Sequence, residues 1–208
     1  MQKITDIRAV QDLASFETPD NFRGRSKWTV QLWWLIEGTL FRWSPQFLYG
    51  WRRFLLRTFG AEVGEGVLLR PTVRTTYPWK VRIGDYAWIG DDVVLYSLGP
   101  ITIGEHAVVS QKSYICTGSH DYTRSDFAIY AKPIEIGPGA WLATDVYVAP
   151  GIKIGAATVV GARSSVFKDL PDGMICIGSP AKAVKPRLPD QHPATVSATT
   201  PASVSAIS

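Results

Sequence analysis

Of the three histidines in this 208-residue chain, one stands where it can do chemistry. His120 follows Cys116-Thr117-Gly118-Ser119 and opens a polar, aromatic stretch. An imidazole titrates near about pH 6.5, so at neutral pH it can take a proton from a bound hydroxyl. An alcohol is a poor nucleophile until that proton leaves, and acyl transfer to a hydroxyl needs such a base. A lone loop histidine is more often just solvated, and spacing alone leaves both readings open. His106, in Gly104-Glu105-His106-Ala107, reads as a surface corner, and His192 in the tail reads as incidental. Cys116 and Cys176 lie in apolar stretches. They read as small buried hydrophobes rather than a disulfide pair, which suits a reducing cytoplasm.

The scaffold for His120 is written as a repeat. Ile136, Leu142, Val148, Ile154, Val160 and Val166 recur every sixth residue, followed by Gly137, Ala143, Ala149, Gly155, Gly161 and, as the break, Phe167. The frame continues backwards through Ile103, Val109 and Ile115, through Ile83, Ile89 and Leu95, and to Val63 and Leu69. Helices repeat near 3.6 and strands at 2, so a period of six with small residues in phase marks a hexapeptide β-helix. The position four after each aliphatic is also small or apolar, which gives two inward positions per flat face. Three faces make a coil of about eighteen residues, and the hexads suffice for about five coils stacked about 4.8 Å apart. A β-sandwich would show irregular strand spacing with simple alternation instead. Two interruptions stand out. Ser97-Leu98-Gly99-Pro100 reads as a bulged corner. Residues 117–133 read as a loop extruded from the prism, and such insertions often build binding sites.

The flanks differ from the repeat. Residues 1–26 are polar and mixed in charge, so no secretory signal is expected. Residues 27–59 hold five of the eight tryptophans, with Arg42, Arg52, Arg53 and Arg57. They read as two helices, about 28–41 and 45–58, with Ser44 as N-cap and Pro45 as first helical residue. One reading is a cap over the open end of the solenoid. The other is a peripheral membrane contact through 27–59. The Ala/Ser/Thr/Pro-rich residues 188–208 read as a disordered tail. The expected organisation is thus 1–59 helical segment, 60–187 β-helix and 188–208 tail. Net charge is +4 with scattered basic residues, against the concentrated stripe that nucleic acid would need. No run of eighteen apolar residues suggests a membrane span.

Residues 63–186 resemble the hexapeptide-repeat acyltransferases. Cys116–Tyr122 (CTGSHDY) resembles their sugar O-acetyltransferase branch, and the front QLWWLIEGTLFRWSPQFLYGWRRFLLRTFGA resembles the colanic acid biosynthesis acetyltransferases. The resemblance implies a left-handed parallel β-helix; the left hand departs from the usual crossover rule and is not contained in the periodicity. It further implies a homotrimer with active sites in the clefts between adjacent prisms; the cysteines point to the cytoplasm, and the Trp/Arg-rich front would suit a glycolipid acceptor at the inner face of the membrane. It implies transfer of an acetyl group from acetyl-CoA to a sugar hydroxyl in exopolysaccharide or other cell-surface glycan synthesis, without a metal. His120 matches the family's catalytic base. Trp141 matches a tryptophan at the thioester end of the coenzyme cleft, Thr144 a small hydroxyl residue beside the pantetheine arm, and Ala162 a small residue where the coenzyme approaches the coil. Lys168, Lys182 and Lys185 fall where basic residues meet the nucleotide and phosphates. Phe167 replaces a common threonine. Gly90 and Leu98 replace an asparagine and an aspartate that hold sugar in galactoside-type relatives. Asp91, Tyr96, Asp121, Tyr122 and Arg124 are acceptor-binding candidates by location.

Other functions on this scaffold fit less well. A zinc-dependent carbonic anhydrase needs three histidine ligands, and the repeat holds two. A nucleotidyltransferase needs a glycine-rich phosphate loop ahead of the repeat, and none occurs. A non-catalytic scaffold and an acetyltransferase for a non-sugar acceptor stay open.

Overall fold

The computed structural model describes residues 6–188. The tail beyond them, with His192, lies outside the described residues. The hexads form a triangular parallel β-helix. Its first face stacks Glu62–Val63, Val81–Ile83, Ile101–Ile103, Ile134–Ile136 and Lys153–Ile154. The second stacks Leu68–Leu69, Trp88–Ile89, Val108–Val109, Trp141–Leu142, Val159–Val160 and Met174–Gly178, closed by an antiparallel strand Ala181–Pro186. The third stacks Arg74–Thr75, Val94–Tyr96, Tyr114–Cys116, Tyr147–Val148 and Ser165–Val166. Five strands on the first and third faces match the coil count expected from the repeat. The hexad aliphatics form one continuous core: Ile89, Val109, Leu142 and Val160 fall in register down the second face and are buried.

The small residue after each aliphatic has a steric cause. A Cβ on Gly104 would lie 2.5 Å from the Pro138 nitrogen, and one on Gly137 would lie 2.6 Å from the Ala156 nitrogen. Coils 4.8 Å apart leave no room there. Two residues later the chain turns the corner in the left-handed region, as at Tyr86 and His106 on successive coils. Their rings stack at 5.2 Å, so His106 is the corner residue its spacing indicates.

The helical segment closes the open end. Helix α1, Lys27–Ile36, starts at Ser26, whose Oγ accepts the Thr29 N–H at 3.2 Å. It buries Val30 and Trp33 and widens into a π-turn over Glu37–Phe41. Helix α2, Tyr49–Thr58, buries Arg52, Leu55 and Leu56. Within the solenoid, the carbonyls of Ile83, Ala87, Ile89 and Leu95 accept N–H groups from the coil before. The first coil has no coil before it, and helix side chains take that place. Arg57 donates to Val63 O, Arg53 to Val67 O, Arg52 to Leu69 O and the Trp33 indole to Thr75 O, at 2.5–2.9 Å. Glu37 accepts the Thr75 N–H. Each buried carbonyl left unpaired would cost roughly 1–3 kcal/mol.

This geometry corrects one expectation. Ser44 and Pro45 do not start α2, which begins four residues after Pro45. The Ser44 hydroxyl donates to Phe41 O at 2.6 Å and accepts from Arg52 Nη1 at 2.8 Å, while Pro45 O and Gln46 O accept from the same guanidinium. The turn is folded around a buried arginine rather than wound into a helix. Arg52, Arg53 and Arg57 bond the carbonyls of the first coil, as the cap reading requires.

Candidate active site

Residues 117–133 leave the prism at the corner between the third and first faces as an antiparallel hairpin, Gly118–His120 with Ile129–Ala131. The extruded segment is thus a strand pair rather than an irregular loop. Its root is anchored by Thr117, fully buried, whose hydroxyl donates to Tyr96 O at 2.7 Å and accepts the Gly99 N–H at 2.8 Å. Gly118 packs closely on Leu98, whose Cδ1 would lie 2.5 Å from a Cβ and would have to shift to admit one. Leu98 therefore serves packing.

His120 ends the first hairpin strand. Its Nδ1 lies 2.7 Å from Phe127 O. A carbonyl can only accept, so Nδ1 carries the proton and Nε2 is the bare, basic nitrogen. The Phe127 ring stacks on the imidazole at 4.2 Å and 9°, and Phe16 approaches at 5.8 Å. The geometry suits proton abstraction from a hydroxyl presented at the Nε2 edge. His106 sits at a different corner, so the two histidines do not share a ligand.

Asp121 and Arg124 are engaged inside the hairpin turn. Asp121 Oδ1 accepts the Thr123 N–H at 2.9 Å and its hydroxyl at 2.6 Å, which holds the carboxyl below its ordinary range. Arg124 forks onto Asp126 at 2.9 and 2.6 Å. Tyr122 is exposed beside them. Tyr96 lines a groove of about 610 Å³ with Trp34, Arg42 and Arg74. Cys116, expected to be buried, is only half-buried: its position on the third face points outward, and its thiol donates to Gly118 O.

The residues matched to the coenzyme fall on two corners. Trp141 stands half-exposed on the second face with its indole N–H on Ser110 Oγ at 3.0 Å, and Thr144 and Ala162 follow at the corner between the second and third faces. Phe167, packed on Tyr147, and Lys168 lie at the third–first corner, the one that carries His120. Lys182 and Lys185 are exposed on the closing strand Ala181–Pro186. One face of about six residues, roughly 15–20 Å, separates the corners. Asp91 sits with the Trp141 group. Its carboxylate meets Arg70 Nε at 3.3 Å in a groove of about 280 Å³ that also takes in Tyr49, Trp88 and Ser110. The sequence reading missed Trp88, which is half-exposed and in register with Trp141 across Val108. Its signal was a large aromatic at an outward hexad position. It also missed Phe16 and Phe127, which lie seven or more residues from His120 and outside the repeat.

No protein-family model matches the chain. A curated relative is decisive. The chain is 60% identical over 179 residues to a protein of Escherichia coli (strain K12) named as a colanic acid biosynthesis acetyltransferase, WcaF, covering 86% of this chain and 98% of the relative. The chain belongs to the hexapeptide-repeat acetyltransferases. Membership in that family carries the left hand of the winding. A solved family member from Vibrio cholerae O1 biovar eltor, complexed with acetyl coenzyme A, superposes with a TM-score of 0.69 at 26% identity, over 80% of this chain and 87% of that one. A galactoside acetyltransferase in complex with coenzyme A shares the fold, with a TM-score of 0.72 at 22% identity over 82% and 84% of the two chains.

Proposed function

We propose that this acetyltransferase moves the acetyl group of acetyl-CoA to a sugar hydroxyl in the synthesis of a cell-surface glycan. The observation that carries the chemistry is the 2.7 Å contact between His120 Nδ1 and Phe127 O, which leaves Nε2 as the base. The name of the WcaF relative and the coenzyme bound in the Vibrio structure supply the substrate classes. His120 Nε2 takes the acceptor proton, and the oxygen attacks the thioester carbonyl. The tetrahedral intermediate expels the coenzyme thiolate, which recovers the proton from the imidazolium. The products are an O-acetyl sugar and coenzyme A, and no acyl-enzyme forms.

The split of the site residues supports a homotrimer. In our reading, His120, Phe167 and Lys168 of one copy face Trp141, Thr144, Ala162, Lys182 and Lys185 of the next, with acetyl-CoA between them. Asp91, beside Trp88, then faces the hairpin residues Tyr122 and Arg124 across the same cleft, with the sugar held there. We place the protein in the cytoplasm, in peripheral contact with the inner face of the membrane through 27–59. No helix among the described residues is long and apolar enough to cross a membrane.

Mass spectrometry of acetyl transfer from acetyl-CoA across nucleotide sugars and lipid-linked glycans tests the reading. His120→Ala should lose transfer by at least about 10²-fold with the trimer intact in light scattering. Unchanged turnover favours the non-catalytic scaffold and overturns the proposal.

A further inference from the structure

The imidazole of His120 is packed by two phenyl rings that lie far apart in sequence. Phe127 stacks on it from within the hairpin, and Phe16 meets it from the N-terminal segment at 53°. That segment is built rather than draped. Asp6 and Asp12 each cap a short turn, accepting the Arg8 and Ala14 N–H groups at 3.0 and 3.2 Å. The Ser15 hydroxyl closes on Asp12 O at 2.8 Å. The Asp12 N–H then donates to Ser125 O at 2.7 Å, which ties the segment to the hairpin turn. Phe127 itself lies at φ 49°, a conformation that bulky residues adopt only when their surroundings impose it. Its carbonyl is the acceptor that selects the His120 tautomer.

We propose that residues 6–16 form a strap that holds the hairpin closed, and that Phe16 is a positioning residue for His120. With Phe127 stacked at 4.2 Å and Phe16 packed against it at 5.8 Å, the ring keeps Nδ1 on Phe127 O and presents Nε2 to the acceptor. The apolar body of Phe16 also narrows the approach, so the acceptor hydroxyl must arrive along the ring edge. The inference rests on His120 being the base.

Two variants of the full-length protein sever the strap differently. Phe16→Ala removes the ring, and Asp12→Pro keeps the ring but removes both the N–H that reaches Ser125 and the carboxylate that caps the turn before Phe16. Residues 6–15 are largely exposed, so neither change touches the solenoid core. Both variants should lower kcat for acetyl transfer by roughly 10- to 100-fold, with KM for acetyl-CoA within about twofold. Phe16→Leu should recover most of the loss. Nitrogen-15 spectra of the labelled histidines should show one His120 tautomer in the parent and in Phe16→Leu, and a mixture in Phe16→Ala and Asp12→Pro. A wild-type spectrum and kcat in both severed variants overturns the strap while His120→Ala stays inactive. An active His120→Ala overturns instead the assignment of the base.

Discussion

Arg52 Nε donates to the carbonyl of Leu69 at 2.6 Å, in the position that the Arg70 N–H takes toward Ile89 one coil later. A side chain thus stands in for a missing strand. Arg52 is fully buried and spends its remaining donors on Ser44, Pro45 and Gln46. Burial lowers its pKa from the usual guanidinium range, yet a fork with four partners stays charged. Arg52→Met should destabilise the fold by about 3–5 kcal/mol, because several carbonyls lose their donor together. Arg52→Lys should recover little, since one ammonium cannot reach the same set. Chemical denaturation decides this; a loss below about 1 kcal/mol for Arg52→Met would show that water replaces the guanidinium.

Glu37 gives the same device a pH dependence. Burial raises its carboxyl to about 7, against the lowering effect of the Thr75 N–H and of Arg74 and Arg42. The folded state therefore binds a proton that the unfolded chain, ionising near 4.5, has already released. Stability from this group is fully present below pH 4.5 and falls as pH rises through about 7. Glu37→Gln keeps an oxygen for the Thr75 N–H and cannot ionise. It should match the parent near pH 4.5 and exceed it by up to about 3 kcal/mol at pH 8. Parallel stability curves for the two proteins between pH 4.5 and 8 would refute this account.

The period of six made the coils legible because stacking is periodic: an inward aliphatic such as Leu142 and a crowded small residue such as Gly137 recur wherever a coil recurs. The hairpin was visible as a break in that period. Its strand pairing was not, because Ser119 and Tyr130 meet through a register that no repeat encodes. The same holds for the helix boundary. Ser44-Pro45 has the local chemistry of a helix start, and a tertiary partner, Arg52, overrides it. The roles of Arg53 and Arg57 depend on which carbonyls the first coil leaves open, which only three dimensions display. Phe16 reaches His120 from another part of the chain, and no local pattern announces such a contact.

Trp141 provides a kinetic test of the cleft. Its indole N–H is held by Ser110 Oγ at 3.0 Å, which sets the ring plane on a half-exposed face. Trp141→Ala should raise KM for acetyl-CoA by about 10-fold with kcat changed less than about threefold, the signature of lost uniform binding. Ser110→Ala leaves the ring but frees its orientation, so a rise of about two- to threefold is expected. Steady-state kinetics with varied acetyl-CoA separates the cases. A fall in kcat at constant KM would move Trp141 away from the coenzyme and toward the reacting atoms.

The outer surface of the helical segment makes a prediction of its own. Trp28, Leu32 and Leu35 of α1, Leu40 of the π-turn and Trp43 just beyond it are all more than half exposed, whereas Val30 and Trp33 are buried. Glu37 is the only acidic residue between Asp20 and Glu62, and it is turned to Thr75, whereas Arg23, Arg25, Lys27 and Arg42 fall in the same stretch of sequence. An exposed apolar face in a stretch rich in basic residues suits an anionic lipid interface. Because Arg52, Arg53 and Arg57 are spent on the first coil, apolar insertion should outweigh charge attraction. The full-length protein should float with vesicles containing anionic lipid, and raising salt from 0.1 to 0.5 M, as rough values spanning strong screening, should weaken this by less than about threefold. Replacing Trp28, Leu32, Leu35 and Trp43 by serine should weaken it by at least about 10-fold, since each buried CH₂ contributes about 0.8 kcal/mol. Equal flotation of the parent and the fourfold variant would remove the membrane contact and leave the surface to another partner.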